Sequence, residues 1–203
     1  MTKIKLCGLS RLCDIEAVNE LKPEYIGFVF ASKSKRYVIP KQAANLKEKL
    51  SEDIKAVGVF VNEKPEKVAE LLNSNLIDMA QLHGDEDEEY IKALRNLSKK
   101  TIIKAFSIGS KGDIDRLNKS TADFVLLDSG QGGTGKVFEW ELIKDIKKPY
   151  FLAGGINVDN ARTAIEKFHP YGLDISSGIE TDGVKDKEKM ADFVRTVRKE
   201  KTL

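Results

Sequence analysis

Apolar and polar residues follow two recurring patterns along the chain. Short runs rich in β-branched and aromatic residues predict buried strands, at residues 4–7, 25–30, 54–61, 77–82, 101–106, 123–128, 150–152 and 173–176. The segments between them have helical periodicity and capping residues. They predict helices at 10–21, 40–50, 65–73, 87–97, 139–146, 157–168 and 186–199, with a weaker segment at 110–118.

Eight strand-and-helix repeats of roughly 25 residues favour a compact (β/α)₈ barrel. The alternative is an open doubly wound sheet, but eight strands in this length would leave little helix to cover both faces. No linker, low-complexity tract or charge block divides the chain. We therefore expect residues 1–203 to form a single TIM barrel domain of the α/β class.

Composition narrows the function. The 34 basic and 32 acidic residues nearly cancel and are spread along the chain, which gives no indication of nucleic-acid binding. No apolar run reaches the roughly 18 residues of a membrane helix, and the N-terminus lacks a secretory signal, so we expect a cytoplasmic protein without membrane contact. Cys7 and Cys13 form neither a CxxC pair nor a Cys/His cluster, which predicts free thiols and no metal site.

The first strand alternates lysines with apolar residues. If Ile4 and Leu6 face the helices, then Lys3, Lys5 and Cys7 face the barrel axis. A buried lysine must find a carboxylate partner. For Lys3, near the barrel floor, we expect a solvated side chain instead.

Polar residues collect at the carboxyl ends of the predicted strands, the face on which barrel enzymes carry their sites. In chain order they are Cys7, Arg36, His83, Asp85, Asp128, Gly154, Gly155, Asn157, Ser176, Ser177 and Gly178.

The last two strand ends predict a phosphate site. AGGIN at residues 153–157 opens a helix, so its glycines can bring backbone N–H groups to an anion. SSGIE at 176–180 offers hydroxyls and N–H groups from the adjacent strand. Together they resemble the phosphate cup that barrels build after strands 7 and 8. The predicted phosphate-binding residues are Gly154, Gly155, Asn157, Ser176, Ser177 and Gly178.

A glycine-rich loop follows Asp128. Residues 130–136 match GxxxxGK, but Val137 stands where a nucleotide-binding P-loop needs Ser or Thr to hold magnesium. A loop that covers the substrate is the better interpretation. Trp140 is predicted to anchor the core at the start of the following helix. Cys13 and His169 fall on or beside helices, away from the active face.

Cys7 and Asp128 can move protons without a metal or redox cofactor. A thiolate is a usable base once its pKa falls towards neutrality, and a carboxylic acid can donate a proton. We hypothesise that Lys5, on the same strand face, lowers the pKa of the Cys7 thiol. Cys7 could instead be a small buried hydrophobe, and Asp128 a loop cap.

Seven motifs in order carry a resemblance that covers the chain from end to end: KLCGLS, SKSKRYV, VGVFVN, QLHGDE, LLDSGQGGTGKVFEW, LAGGIN and DISSGIETDGVKD. The sequence resembles the phosphoribosylanthranilate isomerases of tryptophan biosynthesis. The resemblance implies a (β/α)₈ barrel and an Amadori rearrangement of N-(5′-phosphoribosyl)anthranilate, a phosphorylated sugar substrate, without cofactor.

By the same resemblance, Asp128 is the general acid that opens the furanose ring, and Cys7 is the general base that removes the C2′ proton. Arg36 engages the anthranilate side, His83 and Asp174 lie near the sugar, and loops 7 and 8 hold the phosphate. A related lyase, epimerase or ring-closure enzyme, or a non-catalytic phosphate-binding module, stays as an alternative. Either a monomer or a homodimer is compatible with the mixed surface charge.

Overall fold

The structure is a computed structural model that describes residues 1–108, 110–128, 143 and 145–198. Eight parallel strands close into a barrel in chain order, and β8 pairs with β1. The (β/α)₈ prediction is therefore confirmed. The strands are β1 Lys3–Cys7, β2 Tyr25–Val29, β3 Lys55–Phe60, β4 Met79–Leu82, β5 Thr101–Ser107, β6 Phe124–Asp128, β7 Tyr150–Ala153 and β8 Gly172–Ile175.

Helices cover the outside of the barrel. They are α1 Leu12–Leu21, α2 Pro40–Glu48, α3 Pro65–Asn73, α4 Glu88–Leu97, α5 Lys111–Lys119, α6 Val158–Phe168 and α7 Lys187–Arg198. The weakly predicted segment at 110–118 is thus a helix. The predicted loop at 130–136, Trp140 and most of the predicted helix 139–146 lie outside the described residues. Each helix in the described part of the chain is too short or too polar to cross a lipid bilayer.

Helix α1 begins two residues later than the sequence pattern predicts. The side-chain oxygen Oδ2 of Asp14 accepts hydrogen bonds of 3.0 Å from the backbone N–H groups of Ser10 and Arg11. These bonds satisfy two of the donors that precede the helix, so Ser10 does not act as its cap.

A hairpin after β8 was not predicted. Its strands are β9 Glu180–Thr181 and β10 Val184–Lys185. Between them, Asp182 and Gly183 have φ values of 52° and 79°, as a type I′ turn requires. The strands are too short to show an apolar run, although Asp-Gly is itself a hairpin signal.

Aromatic rings close the floor of the barrel. Tyr25, Phe124, Phe151 and Tyr171 meet there with ring centroids 4.7 to 5.8 Å apart. The hydroxyls of Tyr25 and Tyr171 are 2.7 Å apart. These rings fill the barrel axis at this end, whereas a cavity lined by Cys7, His83 and Asp128 opens at the carboxyl ends of the strands.

Candidate active site

A cavity of about 360 Å³ opens at the carboxyl end of the barrel. Its volume lies within the range of roughly 300–1,000 Å³ that is typical of small-molecule sites. Most of the predicted site residues line it, namely Cys7, Arg36, His83, Asp128, Gly154, Gly155, Asp174, Ser176 and Ser177. The predicted residues Asn157 and Gly178 do not line it.

A second cavity, of about 410 Å³, shares His83 and Asp128 with the first. Its buried cation, Lys104, lies 3.1 Å from Glu86 and donates to the carbonyl of Gly84 at 2.7 Å. That positive charge is already neutralised. We place the site in the first cavity because it alone, of these two, contains Cys7.

Cys7 ends β1 with its side chain towards the barrel axis, as the alternation predicts. The residue is 7% exposed. Its neighbour across the β1–β2 pair is Gly27, and a Cβ atom at that position would lie 2.5 Å from the Cys7 sulfur. Glycine at position 27 therefore provides the space that the thiol occupies.

Lys5 is fully buried and paired with a carboxylate, as predicted. Its Nζ lies 2.9 Å from Oδ1 of Asp174, its neighbour on β8. Burial lowers the pKa of the Lys5 ammonium, but the charges of Asp174 and Cys7 and their hydrogen bonds with Lys5 together outweigh burial and raise that pKa above its ordinary value. Lys3 is 39% exposed beside Glu24, so its prediction is also confirmed.

The thiol pKa departs from the expected direction. Burial raises the pKa of Cys7, and the ammonium groups of Lys5 and Lys185 oppose that rise without cancelling it. Lys5 thus acts in the hypothesised sense, but desolvation dominates. Burial therefore favours the protonated thiol, while the two ammonium groups stabilise the thiolate against that effect.

Asp128 contacts a histidine. Nε2 of His83 lies 3.1 Å from Oδ2 of Asp128, and Nδ1 of His83 lies 2.8 Å from Nε2 of Gln81. The Gln81 oxygen Oε1 is buried and has no hydrogen-bond partner in the described part of the chain. Gln81 was not among the predicted site residues. It lies on β4 two residues before His83, a spacing that places both side chains on the same side of the chain.

The loops after β7 and β8 approach each other closely. Gly154 and Gly155 have φ values of 75° and 70°, and a Cβ on Gly155 would meet nothing within 4 Å. A Cβ on Gly178 would lie 2.4 Å from the carbonyl oxygen of Ile156. Both loops therefore need glycine, Gly155 for its conformation and Gly178 for space.

Asn157 was predicted to bind phosphate, but its side chain contacts the backbone at the start of α6. Its Oδ1 accepts hydrogen bonds from the backbone N–H groups of Asp159 and Asn160, at 2.9 and 3.0 Å. The side chain is thus the N-cap of α6 and orders that helix end. Any contribution of Asn157 to anion binding is through this ordered helix terminus.

Arg36 belongs to a network that the sequence did not indicate. Its guanidinium pairs side-on with Glu180 at 2.6 and 2.8 Å. Burial raises the pKa of Glu180, but the hydrogen bonds and the positive charges of Arg36 and Lys185 together outweigh burial and bring that pKa below its ordinary value. Burial lowers the pKa of Lys185. Within the described ranges, no cluster of three or more His, Cys, Asp or Glu side chains could hold a metal ion.

Comparison with known proteins agrees with this geometry. A family model described as N-(5′-phosphoribosyl)anthranilate (PRA) isomerase matches residues 4–196. An N-(5′-phosphoribosyl)anthranilate isomerase from Clostridium acetobutylicum is 47% identical over 207 aligned residues, which cover 98% of this chain and 99% of the relative.

Two solved structures share the fold. One is a phosphoribosyl anthranilate isomerase in complex with reduced 1-(o-carboxyphenylamino)-1-deoxyribulose 5-phosphate, with a TM-score of 0.84 and 31% identity. The other shows monomers generated from a dimeric phosphoribosylanthranilate isomerase of Thermotoga maritima, with a TM-score of 0.83 and 31% identity. Each alignment covers 98% of this chain and 100% of the other.

Proposed function

The chain belongs to the N-(5′-phosphoribosyl)anthranilate isomerase family, and we propose that Cys7 and Asp128 are the general base and the general acid of its reaction. The enzyme is an aldose–ketose isomerase of tryptophan biosynthesis. It converts N-(5′-phosphoribosyl)anthranilate into 1-(2-carboxyphenylamino)-1-deoxyribulose 5-phosphate by an Amadori rearrangement.

The proposed chemistry begins with ring opening. Asp128 donates a proton to the furanose ring oxygen, the C1′–O bond breaks, and the nitrogen lone pair forms a Schiff base with C1′. The Cys7 thiolate then removes the C2′ proton, and that electron pair produces an enolamine. Tautomerisation adds a proton at C1′ and removes one from the C2′ hydroxyl. Hydrogen lost at C2′ is matched by hydrogen gained at C1′, so the rearrangement needs no external oxidant or reductant.

One observation carries this assignment: the Cys7 and Asp128 side chains, from β1 and β6, line the same cavity. Ring opening needs an acid on one side of the sugar and proton abstraction needs a base on another, so groups from distant strands suit the reaction. The contact of His83 with Asp128 supports a role in orienting the acid. The Asp174 carboxylate, paired with Lys5, is positioned beside the thiol strand.

The glycine turns after β7 and β8 are the proposed phosphate site. Gly154 and Gly155 precede the N-terminus of α6, where N–H groups and the helix dipole favour an anion. Ser176, Ser177 and Gly178 supply backbone groups and the Ser177 hydroxyl from the neighbouring loop, and Asn157 orders the helix end. We assign Arg36 to the anthranilate carboxylate, because a guanidinium edge can receive a planar carboxylate with two parallel hydrogen bonds.

The oligomeric state and the cellular location are also proposals. We propose that residues 1–203 act as one domain, in a monomer or a homodimer, which sedimentation equilibrium would distinguish. The cytoplasmic location stays a prediction.

The test is turnover of freshly made N-(5′-phosphoribosyl)anthranilate. We expect its fluorescence to disappear while a product of unchanged mass forms, because isomerisation neither adds nor removes atoms. A product of lower mass would indicate a lyase instead. Ligand binding without any product would indicate a phosphate-binding module.

A further inference from the structure

The β9–β10 hairpin places two charged residues beside Arg36. Glu180 and Lys185 are opposite each other in the hairpin register. Glu180 accepts hydrogen bonds from Nε of Arg36 at 2.6 Å and from Nη2 at 2.8 Å. The Glu180 side chain is 9% exposed, so solvent does not compete strongly for these bonds. Two parallel bonds fix the plane of the guanidinium as well as its distance.

Lys185 is committed to the same network. Its Nζ donates to Oε1 of Glu180 at 2.6 Å, and to the carbonyl and hydroxyl oxygens of Ser176 at 2.8 and 3.2 Å. An ammonium group has three hydrogens, and all three are used. The hydroxyl of Ser176 donates in turn to the carbonyl of Cys7 at 3.1 Å. The network therefore connects Arg36 to the strand that carries the thiol.

Arg36 keeps donors for a ligand. The side-on pair uses its Nε and one hydrogen of Nη2, and in the described part of the chain Nη1 has no hydrogen-bond partner. The side chain is 32% exposed and lines the cavity. Two cations, Arg36 and Lys185, share the single carboxylate of Glu180, which leaves one excess positive charge in this group of three residues. The remaining guanidinium edge can receive a planar carboxylate with two parallel hydrogen bonds.

The aliphatic part of Arg36 is fixed as well. A Cβ atom on Gly8 would lie 2.4 Å from Cδ of Arg36, so the arginine passes directly over the Gly8 backbone. Gly8 has a φ of 83°, a conformation that also favours glycine. Gly8 and Glu180 thus hold the side chain at two separate points.

We propose that Glu180 is a positioning residue that fixes the Arg36 guanidinium to receive the ring carboxylate of the substrate. This inference rests on the function proposed above. It gives the hairpin a task in substrate recognition: Glu180 sets the geometry, and Lys185 holds Glu180 in place.

The test combines Glu180→Gln, Arg36→Gln and the double variant in steady-state kinetics. Losing a charge-assisted hydrogen bond that orients a ligand-binding group should raise KM about tenfold or more, and leave kcat within about twofold. If Glu180 acts through Arg36, the double variant should have the KM of Arg36→Gln alone. Inhibition by inorganic phosphate, which probes the other anion site, should not change in Glu180→Gln.

Glu166→Gln is the matched control, since Glu166 accepts from an arginine Nε at 2.8 Å on the exposed surface of α6. It should have wild-type KM. If Glu180→Gln does not fold, Glu180→Asp replaces it in the test. Aspartate keeps the negative charge but is too short to accept from both Nε and Nη2 of Arg36, so its KM should also rise. An unchanged KM in a folded Glu180 variant, or effects that multiply in the double variant, would overturn the inference. Wild-type protein without turnover would instead refute the proposed function.

Discussion

The imidazole of His83 contacts the carboxyl group of Asp128, with Nε2 and Oδ2 3.1 Å apart. The amide nitrogen of Gln81 faces the other ring nitrogen at 2.8 Å, so Gln81 and Asp128 hold the imidazole from two sides. Asp128 is thereby oriented by a side chain that does not depend on the substrate.

His83→Ala should lower kcat by about tenfold or more, because the loss of one orienting hydrogen bond misplaces the acid. KM should change less. His169→Asn is the control, since His169 is the other histidine and is exposed at the end of α6. Steady-state kinetics of both variants are the measurement. Wild-type kcat in His83→Ala would show that Asp128 needs no such support.

Lys5→Met should raise the pKa of the Cys7 thiol further. Burial already raises that pKa and the Lys5 ammonium opposes the rise, so its removal leaves burial less opposed. Iodoacetamide reacts with the thiolate, so its rate profile should move to higher pH. The rise of kcat/KM with pH should also move to higher pH, because a general base must be deprotonated to act.

The alkylation is measured in a Cys13→Ser background, because the exposed Cys13 would also react. Lys3→Met is the matched control: Lys3 lies on the same strand face but near the barrel floor, beside Glu24. It should leave the profile unchanged. A profile for Lys5→Met that coincides with the wild type would refute the electrostatic role of Lys5.

Gly27→Ala should displace the Cys7 thiol, since the added Cβ would lie 2.5 Å from the sulfur. Displacement of a reacting group by about 1 Å can lower activity about a hundredfold. Gly58→Ala is equally crowded, with its Cβ 2.6 Å from Cδ1 of Ile77, but lies away from the cavity. Both variants should lose about 1–3 kcal/mol of stability by overpacking, and only Gly27→Ala should lose kcat. Equal kinetics in the two would contradict this role of Gly27.

Glu180 should make part of the stability depend on acid pH. Its folded pKa is lowered, so its stabilising contribution is present above the ordinary carboxyl pKa and is lost as pH falls through the folded value. Urea unfolding between about pH 6 and 3 should therefore show a flatter pH dependence in Glu180→Gln than in the wild type. Parallel curves would mean that Glu180 has the same pKa in both states.

Much of this architecture can be predicted from the sequence, because strands buried in a parallel barrel have recognisable apolar runs and alternating side-chain directions. Apolar runs gave all eight strands, and strand alternation placed Lys5 inside with a carboxylate partner. Strand ends then brought Cys7, His83 and Asp128 to one cavity.

The rest depends on three-dimensional packing. The β9–β10 hairpin has no apolar run, so no periodic pattern in the sequence indicates Glu180 and Lys185. The Asp-Gly pair between the two strands is the one local signal of a hairpin there. Asn157 has a side chain that suits both an anion site and a helix cap, and only the contacts distinguish these. The direction of the Cys7 pKa follows from how deeply the thiol is buried, which alternation does not specify.

The central claim is that Cys7 and Asp128 carry out the proton transfers. Its most direct test is turnover of N-(5′-phosphoribosyl)anthranilate by Cys7→Ser and Asp128→Asn, each shown by circular dichroism to be folded. We expect each variant to lose about 10²–10⁴-fold in kcat, the contribution typical of a positioned acid or base. Cys13→Ser should retain wild-type turnover. Full activity in folded Cys7→Ser or Asp128→Asn would contradict the account.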